Sequence, residues 1–309
     1  MRIDQFVIPI PFTWKVAHRG YRWIDCNDGR WLCAVDALER PDFPGVFDRY
    51  QIQQPLLERT GLFREFAELG STETEVLGFA NKFGLLRDGG NLAVDTEFGR
   101  TLVHAENLQL WQAEIRALQR AVSLWDAISA GEGQEWAELK AALAADELPL
   151  AVQRALHISD DDPMMIGLAA IQRVTDSRLS EHISPRLIFR GNTPRLQVCL
   201  EPMNLLGALW LQFALAVDLL KRFMKCAHCG SPFEISRAVR AGKRPDAKFC
   251  SARCRVAHYR GRIEQAHRLR STGMPINEIA RELNARVSVV NRWLAARKPK
   301  QSRRGRRQT

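Results

Sequence analysis

The chain has 309 residues, 46% hydrophobic and 26% charged, with a formal net charge of +10. That is an ordinary composition for a soluble globular protein, with room for two or three domains at about 100–200 residues each. Residues 221–309 hold 24 Lys/Arg against 5 Asp/Glu, a net of +19, which leaves 21 basic and 30 acidic residues, a net of −9, in 1–220. An acidic body fused to a strongly basic end points to a polyanion partner, usually nucleic acid.

The opening MRIDQFVIPIP contains Asp4, and its apolar run is too short for a secretory signal. The most apolar window, Leu205–Leu220, includes Gln212 and Asp218 and ends against Lys221 and Arg222. A spanning helix needs roughly 20 apolar residues, so this window reads as a buried core helix and no membrane is expected. Cys26, Cys33 and Cys199 are scattered, with no disulfide framework. The expected setting is a reducing cytoplasm, where closely paired cysteines bind metal.

In chain order, residues 5–10 and 21–35 read as short strands, the second a hairpin turning at Asp28-Gly29, with Cys26 and Cys33 as small core residues on its arms. A Pro-rich passage, Pro41 to Pro55, leads into two helices before Leu86. The second opens with a capping box at Thr72 and Glu75 and stops at Gly84. Gly89-Gly90 marks a loop. Leu108, Trp111, Ile115, Leu118, Val122 and Trp125 recur at steps of three and four, which predicts an amphipathic helix over about 106–129. A short helix is expected at 135–146, and another from Asp162-Pro163 to Glu181, with Asp161 or Asp162 as its N-cap. Strands at 186–190 and 195–200 flank a turn at 191–194, and a helix at 204–224 runs directly into Cys226.

The most specific signal is C-x2-C-x20-C-x3-C, formed by Cys226, Cys229, Cys250 and Cys254. Thiolate is the preferred ligand of structural zinc, and four sulfurs complete a tetrahedron with no position left for water. Gly230 after the first pair suits a knuckle. The intervening residues, with Phe233-Glu234-Ile235 and a Gly242/Pro245 loop, suit a hairpin. Cys250 and Cys254 fall one turn apart at the start of a helix, on one face. The result is a treble-clef or ribbon-like module holding one structural Zn2+. His228 and His258 could serve as ligands, but four sulfurs suffice.

The layout resembles an uncharacterised bacterial zinc-ribbon family similar to the CGNR zinc-finger (ABATE-like) proteins. The resemblance rests on Gly61–Ala67 (GLFREFA), Phe79–Leu86 (FANKFGLL), Trp111–Ile128 and the cysteine module, over roughly residues 55–260. CGNR fingers have a Trp-Cys-Ser entry and a Cys-Gly-Asn-Arg exit. This chain has Phe249-Cys250-Ser251 and Cys254-Arg255-Val256-Ala257. The resemblance implies a regulator whose N-terminal domain senses a ligand.

Beyond the zinc module, helices are expected at about 262–271, 276–283 and 288–297, with breaks at Gly273/Pro275 and Asn284. Residues 275–294, PINEIARELNARVSVVNRWL, resemble the helix-turn-helix of recombinase-type and homeodomain-like proteins. Asn284 stands where such motifs have Gly, and Asn tolerates the left-handed conformation. With Val290, Trp293 and Leu294 turned inward, 100° per residue places Ser288 and Arg292 opposite, with Asn291 beside them. These three are candidates for major-groove contacts. Arg281, Arg286, Arg297, Lys298 and the terminal arginines are candidates for phosphate contacts.

The sequence thus reads as mainly α, α+β with a few short strands. The expected parts are a mostly helical N-terminal domain with short β-hairpins (1–224), a zinc module (225–261), a helix-turn-helix (262–297) and a disordered basic tail (298–309). The expected function is a cytoplasmic, nucleoid-associated, non-enzymatic DNA-binding regulator. The alternative is an RNA-binding or ribosome-associated zinc protein. The reading leaves room for a small-molecule or protein ligand of the N-terminal domain and for a homodimer. No Ser/His/acid set, phosphate loop or telling carboxylate pair supports an enzyme.

Overall fold

The computed structural model describes residues 14–39, 50–53, 60–87, 90–96, 99–130, 163–189, 196–235, 244 and 246–295. The strand expected at 5–10, the helix at 135–146, the caps at 161–162, the turn at 191–194, the Gly242/Pro245 loop and the tail from Arg297 onward lie outside them. The fold class is α+β. The chain divides into two compact units, Met1–Phe223 and Met224–Thr309.

The first unit contains a four-stranded antiparallel sheet in the order β2-β3-β6-β5, made of β2 (Tyr21–Cys26), β3 (Gly29–Ala34), β5 (Gly90–Thr96) and β6 (Gly99–Asn107). The hairpin at 21–34 forms with Asn27 and Asp28 in its turn, and Gly29 opens β3 opposite Cys26. Cys33 is fully buried, and burial pushes its thiol up to about 12, so it packs as a small apolar side chain. Cys26, at the end of β2, is only half-buried. Two further ribbons pair β1 (Trp14–Ala17) with β4 (Tyr50–Gln53) and β7 (Ile183–Phe189) with β8 (Leu196–Pro202). The unit therefore has more sheet than short hairpins alone, and β4 lies inside the passage read only as Pro-rich.

Its helices are α1 (Val35–Glu39), α2 (Leu62–Ala67), α3 (Glu73–Phe83), α4 (Leu108–Ala130), α5 (Pro163–His182) and α6 (Leu205–Asp218). The capping box forms at α3: the Thr72 hydroxyl accepts from the Glu75 backbone N–H, 3.4 Å, and donates to the Glu75 carboxylate, 2.5 Å. Gly84, at φ 90°, ends the helix. The apolar stripe of α4 is buried against Phe63 and Phe66 of α2, Phe79 of α3 and the apolar α6, with Trp111 and Trp210 fully enclosed. Ring centroids 5.2 Å apart for Phe66–Phe79 and 5.8 Å for Phe63–Phe213 show aromatic interlock. No helix among the described residues is long and apolar enough to cross a membrane.

Two helix ends depart from expectation. The expected helix at 204–224 stops at Asp218, because Leu220 adopts φ 48° and the Lys221 N–H bonds back to the Ala216 carbonyl, 2.9 Å. With Leu220 N–H on the Val217 carbonyl, that is a Schellman stop, and a strand, β9 (Arg222–Lys225), carries the chain into Cys226. In the second unit, the helix expected at 262–271 is not separate from the one that begins beside Cys250 and Cys254, and Gly261 does not break it. One helix, α7 (Ala252–Ser271), runs through it, since a helix-interior glycine costs only about 1 kcal/mol and no proline intervenes. β10 (Pro232–Ile235) pairs with β9, and α8 (Ile276–Glu282) and α9 (Val287–Ala295) complete the unit. Ala266, Ile279, Ala280, Leu283, Val290 and Trp293 form its helical core. Gly273 (φ 87°) and Asn284 (φ 44°) close α7 and α8 with the same Schellman bonds. At 284, Asn supplies the left-handed residue.

Candidate metal centre and basic helical tail

Two short structures bring the four cysteines together. In the first, the Gly230 N–H donates to the Cys226 carbonyl, 2.9 Å, and Gly230 takes φ 74°, so 226–230 closes a tight knuckle. The Ala227 N–H then reaches the Lys248 carbonyl, 2.9 Å, tying the knuckle to the approach of the second pair. In the second, the Ser251 hydroxyl caps α7 by accepting from the Cys254 N–H, 3.1 Å, which fixes Cys254 in the first turn beside Cys250.

The four Sγ atoms all lie within 4.8 Å of one another. Cys229 and Cys250 are 3.6 Å apart and Cys250 and Cys254 3.4 Å. A tetrahedron with metal–sulfur bonds of about 2.3 Å has edges of about 3.8 Å, so the donor set fits one zinc-sized ion. Cys226 is buried, Cys250 and Cys254 are half-buried and Cys229 is exposed.

The electrostatics suit a cation. Burial works to raise the Cys226 thiol, but the backbone N–H groups of Cys229, Cys250 and His228 and the Cys229 thiol outweigh it and bring it down to about 6. Cys250 goes the other way, up to about 12, through burial and then through the thiols of Cys254, Cys229 and Cys226. Four neighbouring sulfurs ionise together only around a positive charge. His258 stacks near Phe249, centroids 5.0 Å apart, and lies 6.5 Å from the His228 ring. The sulfur set contains neither histidine.

The helical tail presents its candidate contacts outward. Val290 and Trp293 of α9 are buried and Leu294 half-buried, while Ser288, Asn291 and Arg292 are exposed, as are Arg281 of α8 and Arg286 before α9. Arg297 lies outside the described residues. Two residues that hold α9 in place, Tyr259 and Arg262, carry no signal in the sequence. The Trp293 indole N–H donates to the Tyr259 hydroxyl, 3.0 Å. Arg262 lies 5.0 Å over the Trp293 ring and donates to the carbonyls of Leu283 and Asn284, the exposed end of α8. Arg262 is one of many arginines in α7, and nothing in its sequence neighbourhood sets it apart.

A second polar cluster, also missed, lies in the first unit. The Glu106 carboxylate accepts the backbone N–H groups of Leu86, 3.0 Å, and Arg87, 2.5 Å. Glu114 pairs with Arg178 at 3.0 Å and Arg87 at 3.3 Å, and Arg87 also reaches Glu181 at 3.2 Å. The Asn204 amide, whose oxygen caps Gly207 of α6, donates to His182 Nδ1, 3.2 Å. That bond assigns the His182 proton to Nε2, and burial lowers the ring's proton affinity further. These groups tie the loop after α3 and β6 to α4, and through Arg87 and Arg178 to α5. Glu114 did leave a trace, a charge three residues after Trp111 on an otherwise apolar stripe.

No protein-family model, no curated protein and no solved structure matches the chain.

Proposed function

We propose that the protein is a cytoplasmic DNA-binding transcriptional regulator with one structural zinc held by Cys226, Cys229, Cys250 and Cys254. In this reading the knuckle, the β9–β10 ribbon and the start of α7 form a treble-clef module. α8, the Asn284 turn and α9 form a helix-turn-helix. The observation that carries it is α9 itself, which buries Val290 and Trp293 and turns Ser288, Asn291 and Arg292 outward within a segment of net charge +19. Arg reads guanine and Asn adenine by paired hydrogen bonds, and a short exposed helix fits the major groove. The sulfurs have no open coordination position, so zinc there would supply stability and leave no site for reacting water.

The test is selection of bound nucleic acid by the full chain from mixed pools, followed by affinity against salt. Neutralising six to ten phosphates gives a log–log slope of roughly −5 to −9. Arg292→Ala is expected to weaken selected sites by about 1–3 kcal/mol and random duplex by less. Equal losses on both would reduce Arg292 to a phosphate contact. Preference for structured RNA over duplex DNA in competition would overturn the DNA reading in favour of an RNA partner. Native mass spectrometry is expected to show one zinc on the wild type and its loss in Cys250→Ser.

A further inference from the structure

The first half of α7 has little of its own to keep it helical. From Ala252 to Gly261 no residue is buried: Cys254, Ala257 and His258 are half-buried, Val256 and Tyr259 are 44% and 48% exposed, and Ala266 is the helix's single buried residue. The first turn contains no acidic side chain, while Arg253 and Arg255 place positive charge at the positive end of the helix dipole. Gly261 adds a further local cost. The packed second half nucleates the helix, but extending it back through Val256, His258, Tyr259 and Gly261 gains little, since these are middling to poor helix formers. Besides the ring contacts of His258 with Phe249 and of Tyr259 with Trp293, what anchors it is the Ser251 cap and the cysteines on either side of that cap. The second half differs, because Ile263, Ala266 and Leu269 pack on α8 and α9 and Arg262 braces both.

Tyr259 belongs to the weakly supported half, five residues beyond Cys254. Its hydroxyl is the acceptor for the Trp293 indole N–H, and its ring packs on Trp293 edge-on, centroids 5.9 Å apart at 76°. Trp293 is 2% exposed and anchors α9.

We infer that α7 links the two candidate sites: coordination of Cys250 and Cys254 orders residues 252–261, and that order, through Tyr259 and Trp293, fixes the angle at which α9 is presented. This inference rests on the reading of the sulfur cluster as a metal site and extends it to control of the nucleic-acid surface. Tyr259 is a positioning residue, and the metal state of the cluster regulates α9.

The experiment follows backbone hydrogen exchange in the full chain, zinc-loaded and after chelation, with zinc re-addition as the control. On zinc removal, exchange at 252–261 is expected to accelerate at least about tenfold, while amides of α8 and residues 262–271 change less. Gly261→Ala adds a methyl group into open space and stabilises that turn about fivefold, so it should restore part of the protection in the zinc-free chain. Tyr259→Phe should leave zinc content unchanged yet speed exchange in α9 and weaken binding to a mixed-sequence DNA duplex several-fold. Equal protection of 252–261 with and without zinc would overturn the link, and so would unchanged α9 exchange in Tyr259→Phe. Loss of protection spread evenly through 295 would overturn the division of α7 into dependent and independent halves. A zinc-loaded chain that ignores the duplex, yet shows the expected exchange pattern, sinks the DNA reading and leaves this one standing. A chain that takes up no zinc sinks the metal site and this inference with it, while duplex binding alone decides the DNA reading.

Discussion

Glu106 holds a carboxyl group at 1% exposure, with two backbone N–H groups as its hydrogen-bond donors. Burial raises it from 4.5 to about 7, against the pull of the Arg87 and Leu86 amides and the Arg87 charge. Between those values the folded chain keeps a proton that the unfolded chain releases, so stability is greatest below the unfolded value and is lost as pH rises to about 7. The whole effect is about 3 kcal/mol. Urea unfolding at about pH 5 and about pH 8 should show that fall in the wild type and a much flatter profile in Glu106→Gln. Equal slopes would remove Glu106 as its source. None of this was legible in the sequence, since Glu106 reads as the polar start of α4 until β6 is known to end beyond it. The cysteines were legible because four thiols in two close pairs form a local pattern that topology need only complete.

At the scale of elements, what the sequence disclosed depended on whether a signal was local. The Thr72 capping box and the stripe of α4 are carried by neighbours three and four residues apart, and both form as read. β5 and β6 escaped because each alternates only briefly. Leu92 and Val94 are half-buried, Val103 and Ala105 buried, and Leu102 faces solvent among them. The helix start expected at 262 misled in the opposite sense, since the single Gly261 before it is a weak helix breaker and α7 runs through it. The end of α6 was hidden because Leu220 is an improbable residue for a left-handed position. It is 72% exposed, so little packing would be lost on replacing it. Leu220→Gly is therefore expected to stabilise the first unit by about 0.5–1 kcal/mol, read as a higher urea midpoint at unchanged slope.

For the whole molecule, the division into Met1–Phe223 and Met224–Thr309 separates two kinds of stability. The first unit has a large aromatic and aliphatic core. The second rests on a small helical core and the sulfur cluster, and structural zinc contributes about 10 kcal/mol or more to such small folds. Calorimetry of the full chain should resolve two transitions, with chelation abolishing or strongly lowering one and leaving the other in place. A single transition that shifts as a whole would argue for one cooperative body.

The β7–β8 ribbon has a consequence of a different order. Among the described residues it is two strands wide, with no third strand on either side, and Leu187, Leu196 and Val198 all face solvent. Open strand edges beside exposed aliphatic side chains recruit copies of themselves as concentration rises. The net charge of +10 opposes that recruitment, and high salt screens it. Purified stocks are thus best held dilute and at modest ionic strength, and a lysine in place of Leu187 is the natural solubilising change.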